Sequence, residues 1–436
     1  MKKKHRSKKV LLSGLFAVLC ITLTWQEPLS GQDGSDGVIK KPSIRDARKQ
    51  ILDNIKSDRE KLVKTPDELR KMLAEVRNEI KNRNLKFRVE LNEMMKYNIA
   101  QITGADIPQN LEKEARVQSS RGERMWKEFM KQYMLQLQDQ NNQKRKKKSG
   151  SYDYRKKDQY SYKKKQDDEE QKRLEEQKRL EEERKREEDN RNNDRQEPDY
   201  DKGDIENAPS PTAASFSWVS ARKVTPVKHQ YTCGSCWAFT SVAVLEANYK
   251  IRRNQELDFS EQHILDCSVD SYGQRAGTCN GGWYGRVFDY LMRNSAATEQ
   301  SIPYKNRNSA CMPNPISEYK IKAWGYVRSD AGIPSVDEMK KALCKYGPIA
   351  ACVKVTPALQ AYKNGVFDEF AQIDSSKGEK DINHAITIVG WDDNRKAYLV
   401  KNSWGTQWGD RGYFWIEYGC NNIGYGAAWL VVDRND

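Results

Sequence analysis

Cysteine and tryptophan are confined almost entirely to the second half of the chain, and this asymmetry constrains its folding more than any other feature. Eight of the nine Cys and nine of the eleven Trp follow residue 210, and no Cys lies between Cys20 and Cys233. Both residue types are typical of a packed and often cross-linked globule. The sequence therefore predicts one globular domain over about 211–436, preceded by segments of another kind.

The basic charge belongs mostly to the first half of the chain. The whole chain has 76 Lys+Arg and 62 Asp+Glu, and residues 211–436 contain 26 and 23 of them, a net charge of +3. Residues 1–210 then contain 50 and 39, a net charge of +11. Basic runs such as 144–148 could contact nucleic acid or an anionic surface, but we favour a solvated linker and expect no nucleic-acid partner.

The first residues are typical of an export signal. A positive stretch from Lys2 to Lys9 precedes an apolar run from Val10 to about Leu23. A membrane span needs roughly 17–25 residues, so this run predicts a signal peptide over 1–24. The alternative is an uncleaved membrane anchor, the one case in which we expect a membrane partner. We expect an exported protein (secreted, periplasmic or at the cell surface) whose cysteines can pair.

Residues 43–137 are predicted to be helical. Thr65, Pro66 and Glu68 combine an N-cap, a proline at the first helical position and the glutamate of a capping box. Two amphipathic stretches follow at helical spacing. Their apolar residues are Leu69, Met72, Leu73, Val76 and Ile80, and then Trp126, Phe129, Met130, Tyr133, Met134 and Leu137.

Residues 138–207 form a charged, low-complexity spacer. The hexad QKRLEE occurs at 171–176 and again at 177–182. One Leu per hexad is too few for a coiled-coil seam, which needs two apolar positions in seven. We interpret this region as part disordered and part charged helix, so the N-terminal half is a helical and disordered charged region.

Cys236 lies at the start of an apolar helical pattern. Apolar residues recur after it at helical spacing, at Ala238, Val242, Leu245 and Tyr249. A helix N-terminus bears about half a positive charge, which favours a thiolate over a thiol. Cys236 is therefore a candidate nucleophile.

His384 and Asn402 flank a predicted β-hairpin. Two β-rich runs, 384–393 and 396–405, surround a turn that contains Asp393 and Asn394. If the turn centres on these two residues, His384 lies opposite residue 403. Asn402 is then a cross-strand neighbour that can hydrogen-bond the His384 ring.

Several blocks of sequence together resemble the papain/cathepsin family over about 211–436. They are QYTCGSCWAF at 230–239, SEQHILDC at 260–267, CNGGW at 279–283, NHA at 383–385 and KNSWG at 401–405. The resemblance implies an α+β, two-lobed fold. A helical lobe (about 211–320) would contain Cys236, and an antiparallel, β-barrel-like lobe (about 321–436) would contain His384 and Asn402. It also implies that no cofactor or metal is needed.

The same resemblance assigns roles to the site residues. Cys236 attacks the peptide carbonyl, and His384 exchanges the proton. Asn402 orients the His384 ring, Gln230 donates to the oxyanion, and Trp404 shields the Asn402–His384 hydrogen bond from water. His384 and Asn402 follow Cys236 by 148 and 166 residues, against roughly 130–150 in the family signature, so we expect longer loops.

The resemblance also pairs cysteines. It implies the disulfides Cys233–Cys279 and Cys267–Cys311. Cys344, Cys352 and Cys420 are then left for one further bond and one free thiol. Of these three, we favour a Cys344–Cys420 bond, because Cys352 matches a position that lines the S2 pocket.

The substrate-binding residues also follow from family positions. Gly281 and Gly282 would present backbone to an extended substrate. The positions around the S2 pocket are Trp283, Tyr284, Cys352, Ile382 and Ala428. These are apolar or weakly polar, so we expect an apolar residue at P2. Because no paired-His occluding loop is present, we expect an endopeptidase that acts on protein or peptide substrates.

The N-terminal helical region is a candidate inhibitory prosegment. Glu79, Arg83, Phe87 and Asn98 match four of the six positions of the family's prosegment pattern, whereas residues 90 and 94 do not match well. We therefore predict that about 43–137 inhibits the protease domain intramolecularly, with activation by a cut near 205–215.

Other interpretations remain open from sequence alone. Cys233 and Cys236 form a C-x-x-C pair, typical of a redox or zinc site, and His263 with Cys267 could ligate a metal. Two further functions are compatible with the domain. It could be an acyltransferase or peptide ligase that uses the same thioester, or a surface scaffold with an inactive protease domain.

Overall fold

The computed structural model describes residues 63–149, 203–205, 208–314 and 318–434. The predicted signal peptide (1–24) and the tandem hexads (171–182) lie outside these residues. Within the described part, no helix combines the length and apolarity needed to cross a membrane.

The N-terminal region begins with the predicted capped helix. Helix α1 (Pro66–Arg83) has the capping box, because Thr65 Oγ1 accepts from Glu68 N–H and the Glu68 carboxylate accepts from Thr65 N–H. Its buried residues, Leu69, Leu73 and Val76, belong to the predicted apolar face. The elements that follow are β1 (Phe87–Val89), a 3-10 turn (Glu93–Lys96), α2 (Ile99–Ile102) and α3 (Leu111–Ser149). Helix α3 thus continues beyond 137 into the predicted spacer.

A helical layer and a short hairpin follow in the C-terminal domain. The hairpin pairs β3 (Gly277–Thr278) with β4 (Gly281–Gly282). The helices are α4 (Cys236–Arg252), α5 (Glu261–Cys267) and α6 (Tyr284–Leu291). Nearly every residue of α4 is buried, which fits its apolar sequence and makes it the central helix of this layer.

A nine-stranded sheet forms the second layer, with α7 (Val336–Tyr346) and α8 (Pro357–Gln360) packed nearby. Besides β1, its strands are β2 (Ser215–Ser217), β5 (Ala323–Tyr326), β6 (Ile349–Val353), β7 (Tyr362–Phe367), β8 (His384–Asp392), β9 (Ala397–Lys401), β10 (Tyr413–Glu417) and β11 (Tyr425–Val431). The sheet order is β1-β7-β10-β9-β8-β6-β11-β5, with β2 paired to β8.

The predicted α+β fold is confirmed, but its sheet is mixed and open in the described residues. β7 and β10 are parallel, whereas the other pairs are antiparallel. The sheet does not close into a barrel, since its two end strands do not pair with each other. One end strand, β1, comes from the N-terminal region, and helix α3 packs along the other, β5. The N-terminal region therefore supplies one end strand of the sheet and covers the other.

Two hydrophobic clusters fill the interior. The first lies under the sheet and includes Trp391, Val400 and Phe414. The second surrounds α4 and includes Trp237 and Phe288, together with residues of β6 and β11. The first residues of α4 and β8 meet where the two layers face each other, and this junction contains the candidate site.

Candidate active site

Cys236 is the first residue of α4 and is completely buried. Its thiol Sγ accepts a hydrogen bond from the Ala385 backbone N–H at 3.4 Å. Since Ala385 follows His384 at the start of β8, this contact places the thiol beside the His384 backbone. The Cys233–Cys279 disulfide ties the loop before α4 to the β3–β4 hairpin.

His384 and Asn402 form a hydrogen-bonded pair. His384 Nε2 lies 2.8 Å from Asn402 Oδ1, and this oxygen also accepts from Ser403 N–H. The Trp404 ring lies over the pair, 4.8 Å from the His384 ring centroid, and is buried. His384 Nδ1 has no hydrogen-bond partner within the described residues. The ring is therefore oriented through Nε2, and Nδ1 remains available for proton exchange.

The strand register that brings them together differs from the predicted one. Thr387 pairs with Lys401, and a bulge lies between Ile388 and Gly390, so extending the pairing places His384 opposite residue 404 rather than 403. Asn402 lies just past the end of β9, where its N–H donates to Gly412 O at 3.0 Å. Asn402 therefore reaches the imidazole from the segment just after β9 and not from within the strand.

Gln230 is buried and its amide is fixed on both sides. Its Nε2 donates to Cys233 O at 2.9 Å, and its Oε1 accepts from Ser403 Oγ at 2.6 Å. A side-chain amide has two N–H groups, so one donor remains beyond the bond to Cys233 O. The structure therefore holds this donor rigidly in the loop that precedes the nucleophile.

The N-terminal region passes directly through the cleft. Residues 102–106, which we call the plug, are held there by backbone hydrogen bonds. Ile102 O accepts from Trp404 Nε1 at 3.0 Å, and the N–H groups of Gly104 and Ala105 donate to Asn383 O at 3.0 and 2.9 Å. Gly282 N–H donates to Gly104 O, and Gly282 O accepts from Asp106 N–H. These two hydrogen bonds form a parallel β-bridge between Gly282 and Ala105.

Gly104 lies at the candidate site, and the sequence analysis did not single it out. A Cβ at this position would lie 2.0 Å from Gly234 O, so only glycine fits between the plug and the loop before Cys236. The available signal was a Gly in the short TGA segment between an apolar turn and Pro108. This glycine lets the plug backbone approach the loop that precedes Cys236.

The four matching prosegment positions have structural roles. Arg83 pairs with Glu79 at 2.7 Å and also donates to Glu369 O. The Phe87 ring packs 4.6 Å from Phe367, next to the β1–β7 pairing, and Asn98 caps α2. These contacts dock the chain on the sheet just before it enters the cleft.

Comparison with known proteins agrees with this geometry. The model of the family described as papain family cysteine protease matches residues 212–429, half of the chain. The chain belongs to the papain family of cysteine proteases. Macrodontain-1 of Ananas macrodontes is 37% identical over 215 residues, which are 48% of this chain and 91% of that protein.

Other papain-family relatives show comparable identity. Mouse pro-cathepsin H is 34% identical over 226 residues, covering 50% of this chain and 64% of that protein. Ananain of Ananas comosus is 37% identical over 229 residues, covering 51% and 60%. The chain thus spans less than two thirds of the length of these two relatives. Among solved structures, procathepsin L 3 of Tenebrio molitor has a TM-score of 0.45 at 29% identity, covering 53% of this chain and 76% of its own.

Papain-type chemistry needs a thiolate and an imidazolium, and the plugged cleft disfavours both. Burial raises the pKa of Cys236 to about 12, and this effect outweighs the hydrogen bonds from backbone N–H groups, which lower the pKa. Burial also lowers the pKa of His384 to about 4. The closed site therefore contains a neutral thiol and a neutral imidazole, so the expected thiolate requires that water reach the cleft.

The residues expected around S2 gather beside the plug. Trp283 and Tyr284 stack at 4.7 Å, and the Tyr284 hydroxyl donates to Gly426 O at 2.6 Å and lies 3.6 Å from Cys352 Sγ. Ala428 is buried and Ile382 half-buried in the same hydrophobic cluster. Gly281 and Gly282 form β4, which pairs with the plug. Their role in substrate binding remains a prediction.

The cysteine pairing agrees with the expectation in two cases and differs in the third. Cys233–Cys279 and Cys267–Cys311 are formed. The expected Cys344–Cys420 bond is wrong, since Cys344, Cys352 and Cys420 are all free and buried. Cys344 lies on α7, whereas Cys420 Sγ accepts from Phe370 N–H in a different loop, so the two thiols are committed to separate surroundings.

The alternative metal and redox interpretations are not favoured. Cys233 bonds to Cys279 rather than to Cys236, and Cys267 bonds to Cys311. No group of three or more His, Cys, Asp or Glu side chains in the described ranges is placed to hold a metal ion. His263 is buried, and its Nδ1 accepts from Ala297 N–H.

His263 should make stability depend on pH. Burial lowers its pKa to about 4, whereas the unfolded residue titrates near 6.5. Below pH 6.5 the unfolded chain therefore binds a proton that the folded chain does not, and stability falls as the pH falls. We expect His263 to contribute a loss of about 2 kcal/mol between pH 7 and pH 5. Urea unfolding of Cys236→Ala, with and without His263→Asn, measures this, and equal pH slopes in both proteins would contradict it.

Proposed function

We propose that this chain is a cysteine endopeptidase that its own N-terminal region keeps inactive. The observation that carries the proposal is the Cys236, His384 and Asn402 arrangement at a helix N-terminus, with the plug hydrogen-bonded across it. A scaffold protein has no need for a cysteine beside a hydrogen-bonded His384–Asn402 pair, or for a segment that covers them.

The chemistry follows from the atoms that the site brings together. Once the plug leaves, the Cys236 proton moves to His384 Nδ1, and the thiolate attacks a peptide carbonyl. The C–N bond then breaks as His384 returns the proton to the leaving amine, which gives a thioester on Cys236. Water, deprotonated by His384, attacks the thioester and releases the acid. Asn402 keeps the ring in the tautomer that both transfers require.

Two donors are available for the oxyanion. They are the Cys236 backbone N–H at the helix N-terminus and the remaining N–H of Gln230 Nε2, which is already fixed by Cys233 O and Ser403. Because these donors are preorganised, they need no reorientation as negative charge develops on the carbonyl oxygen. One such donor is typically worth about 2.7–4 kcal/mol of transition-state stabilisation.

Inhibition follows from what the plug occupies. It uses both backbone hydrogen-bonding groups of Gly282, which we propose pair with substrate, and it buries Cys236 completely. Substrate and plug therefore compete for the same backbone groups. This supports an inhibitory prosegment that includes residues 63–106.

The S2 pocket is proposed to accept a small apolar residue. The Tyr284 side chain is completely buried and is fixed by Gly426 O, with Trp283 stacked against it. The plug residue paired with Gly282 is Ala105, which packs against the same cluster. A small occupant beside an immobile tyrosine favours alanine or valine at P2 over leucine or phenylalanine.

Tyr284→Ala should widen this preference. Removing the ring leaves room for larger side chains, so kcat/KM for a P2-Phe peptide relative to a P2-Ala peptide should rise by about tenfold or more. A peptide series that differs only at P2, assayed with the activated enzyme, measures the ratio. Tyr290→Ala, on the last turn of the same helix, should leave the ratio unchanged. A wild-type enzyme that already prefers P2-Phe would contradict the proposal.

Export is proposed from the N-terminal signal pattern together with the cysteines. The two disulfides of the domain are typical of proteins that fold in an oxidising compartment. We expect the protease to act outside the cytoplasm on protein or peptide substrates.

Product mapping tests the proposed function. Full-length wild type and Cys236→Ala would first be cut by the same limited proteolysis, and the added protease would then be inhibited. A denatured protein would next be added as substrate, together with a thiol reductant. We expect internal cleavage by the wild type alone, with each cut adding one water. Joined peptides in the mass spectra would instead identify a ligase. No product from a folded chain whose open cleft is shown by alkylation of Cys236 in a separate sample would identify an inactive scaffold.

A further inference from the structure

Helix α3 contacts the protease domain at a place separate from the cleft. Its residue Trp126 is 2% exposed and packs edge-on against two aromatic side chains of the domain. The ring centroids lie 5.2 Å from Tyr346 and 6.5 Å from Trp429, and Lys345 Nζ lies 5.4 Å from the Trp126 ring. Tyr346 and Trp429 stack on each other at 4.0 Å. Trp126 therefore completes an aromatic cluster of the domain itself.

The same helix covers the edge of the sheet. β5 is the last strand of the sheet and pairs with β11 only. Gln118 Nε2 donates to Trp324 O of this strand at 2.8 Å. A Cβ at Gly122 would lie 2.3 Å from the same carbonyl oxygen, so α3 approaches the strand backbone as closely as a glycine allows. An exposed sheet edge can pair with other chains, and α3 prevents this.

The contact is long and continues beyond the aromatic cluster. Leu111 and Ala115 are buried at its start, and Arg434 lies 4.8 Å over the Tyr133 ring near its end. From Leu111 to Tyr133 the helix runs roughly 33 Å at 1.5 Å per residue. Past Tyr133 its described side chains are mostly exposed. The docked part is thus about six turns, whereas the plug is held mainly by backbone hydrogen bonds.

The chain is tied to this surface again just before the protease domain begins. Asp204 pairs with Arg252 at 2.8 Å, both side chains being completely buried, and with Arg434 at 3.0 Å. A protease that cuts near residue 205 would therefore have to disrupt this buried ion pair. For this reason the first residues of the predicted activation site, 205–215, should be cut poorly.

We propose that the surface formed by Trp324, Tyr346 and Trp429 is a permanent docking site for helix α3, which stays on the enzyme after the cleft opens. The plug is then anchored on both sides, by α1 and β1 before it and by α3 after it. Hydrolysis of a spacer peptide bond leaves both anchors in place, so the cleft stays closed. Opening requires hydrolysis of a bond between Asp106 and Leu111, where Gln109 and Asn110 are exposed.

The inference rests on the proposed function only in that the plug closes the site. After a cut between Asp106 and Leu111, the preceding segment loses its covalent link to α3, so dilution removes it by mass action. Helix α3 remains covalently joined to the domain through the spacer. The active enzyme would then have an additional N-terminal helix.

Two single-site variants of the full-length chain test this. A recognition sequence for a sequence-specific protease is inserted after Gln109 in one and after Lys165 in the other, both in a His384→Ala background to prevent self-cleavage. After cutting and dilution, iodoacetamide labelling of Cys236 is followed by mass spectrometry. We expect labelling at least tenfold faster in the Gln109 variant than in the Lys165 variant. Equal labelling rates in the two variants would overturn the proposal.

A substitution in the anchor separates docking from the position of the cut. Trp126→Ala in the Lys165 variant should increase the rate of Cys236 labelling about tenfold or more, because α3 then releases with the plug. Val117→Ala, at a position of α3 that is 65% exposed, is the matched control and should not change the rate. If Trp126→Ala labels no faster than Val117→Ala, α3 is not an anchor. Labelling does not depend on peptidase activity, so a failure of the proposed function would be seen only in the product assay.

Discussion

Replacing His384 by alanine should lower kcat by a factor on the order of 10⁴ to 10⁶, because the same ring must take the Cys236 proton and return it to the leaving amine. The loss should appear in kcat rather than in KM, since the imidazole is needed in the transition state more than in substrate binding. The measurement is steady-state hydrolysis of a fluorogenic peptide by the activated enzyme.

Two controls test whether the effect belongs to the catalytic ring. His263→Asn alters another buried histidine and should keep nearly full activity at neutral pH. Asn402→Ala should cost less than His384→Ala, because Asn402 orients the ring through the 2.8 Å contact and transfers no proton itself. A His384→Ala enzyme with more than one per cent of wild-type kcat would contradict the assigned role.

Replacing Gly104 by valine should open the cleft without a proteolytic cut. The first side-chain atom would lie 2.0 Å from Gly234 O. Because Gly234 O is a backbone atom, no side-chain rotation can relieve this overlap. Overpacking of this kind typically costs about 1–3 kcal/mol, so Cys236 labelling by iodoacetamide should accelerate by roughly 10- to 100-fold. Labelling of the uncut full-length chain is the measurement.

The matched control is a substitution in the same segment outside the close contact. Gln109→Val adds the same side chain at an exposed position, and the labelling rate should stay at the wild-type value. Circular dichroism of both variants checks that the chain remains folded. A folded Gly104→Val protein with wild-type labelling would show that the plug does not control access to Cys236.

The local elements and the site residues were predictable because their signals are short in range. The capping box of α1 lies within four residues, and the apolar spacing that marks α4 lies within one helix. The blocks around Cys236, His384 and Asn402 then identified the family. Hydrogen bonding along a helix and its terminal dipole depend on neighbouring residues, so they are apparent in the order of residues.

The strand register and the cysteine pairing were less predictable. A register changes with a shift of a single residue, and a disulfide depends on how far apart two thiols lie in the folded chain. The β8–β9 pairs next to the turn, such as Asp392 with Ala397, are two residues away from the predicted register, and a bulge near Val389 restores one of the two. The three remaining cysteines could be combined in several ways, and the folded chain leaves all of them reduced. Neither a bulge nor the separation of two thiols is specified by composition or by spacing.

The order of residues by itself determined the family, the α+β class and two of the disulfides, and it supplied the candidate nucleophile with its proposed partners. Only the tertiary structure decided that residues 102–106 cross the cleft, that α3 covers β5, and that burial raises the pKa of Cys236 and lowers the pKa of His384. The physical reason is that these features join segments more than a hundred residues apart. Their energies come from burial and close backbone approach, which arise only when the distant surfaces meet.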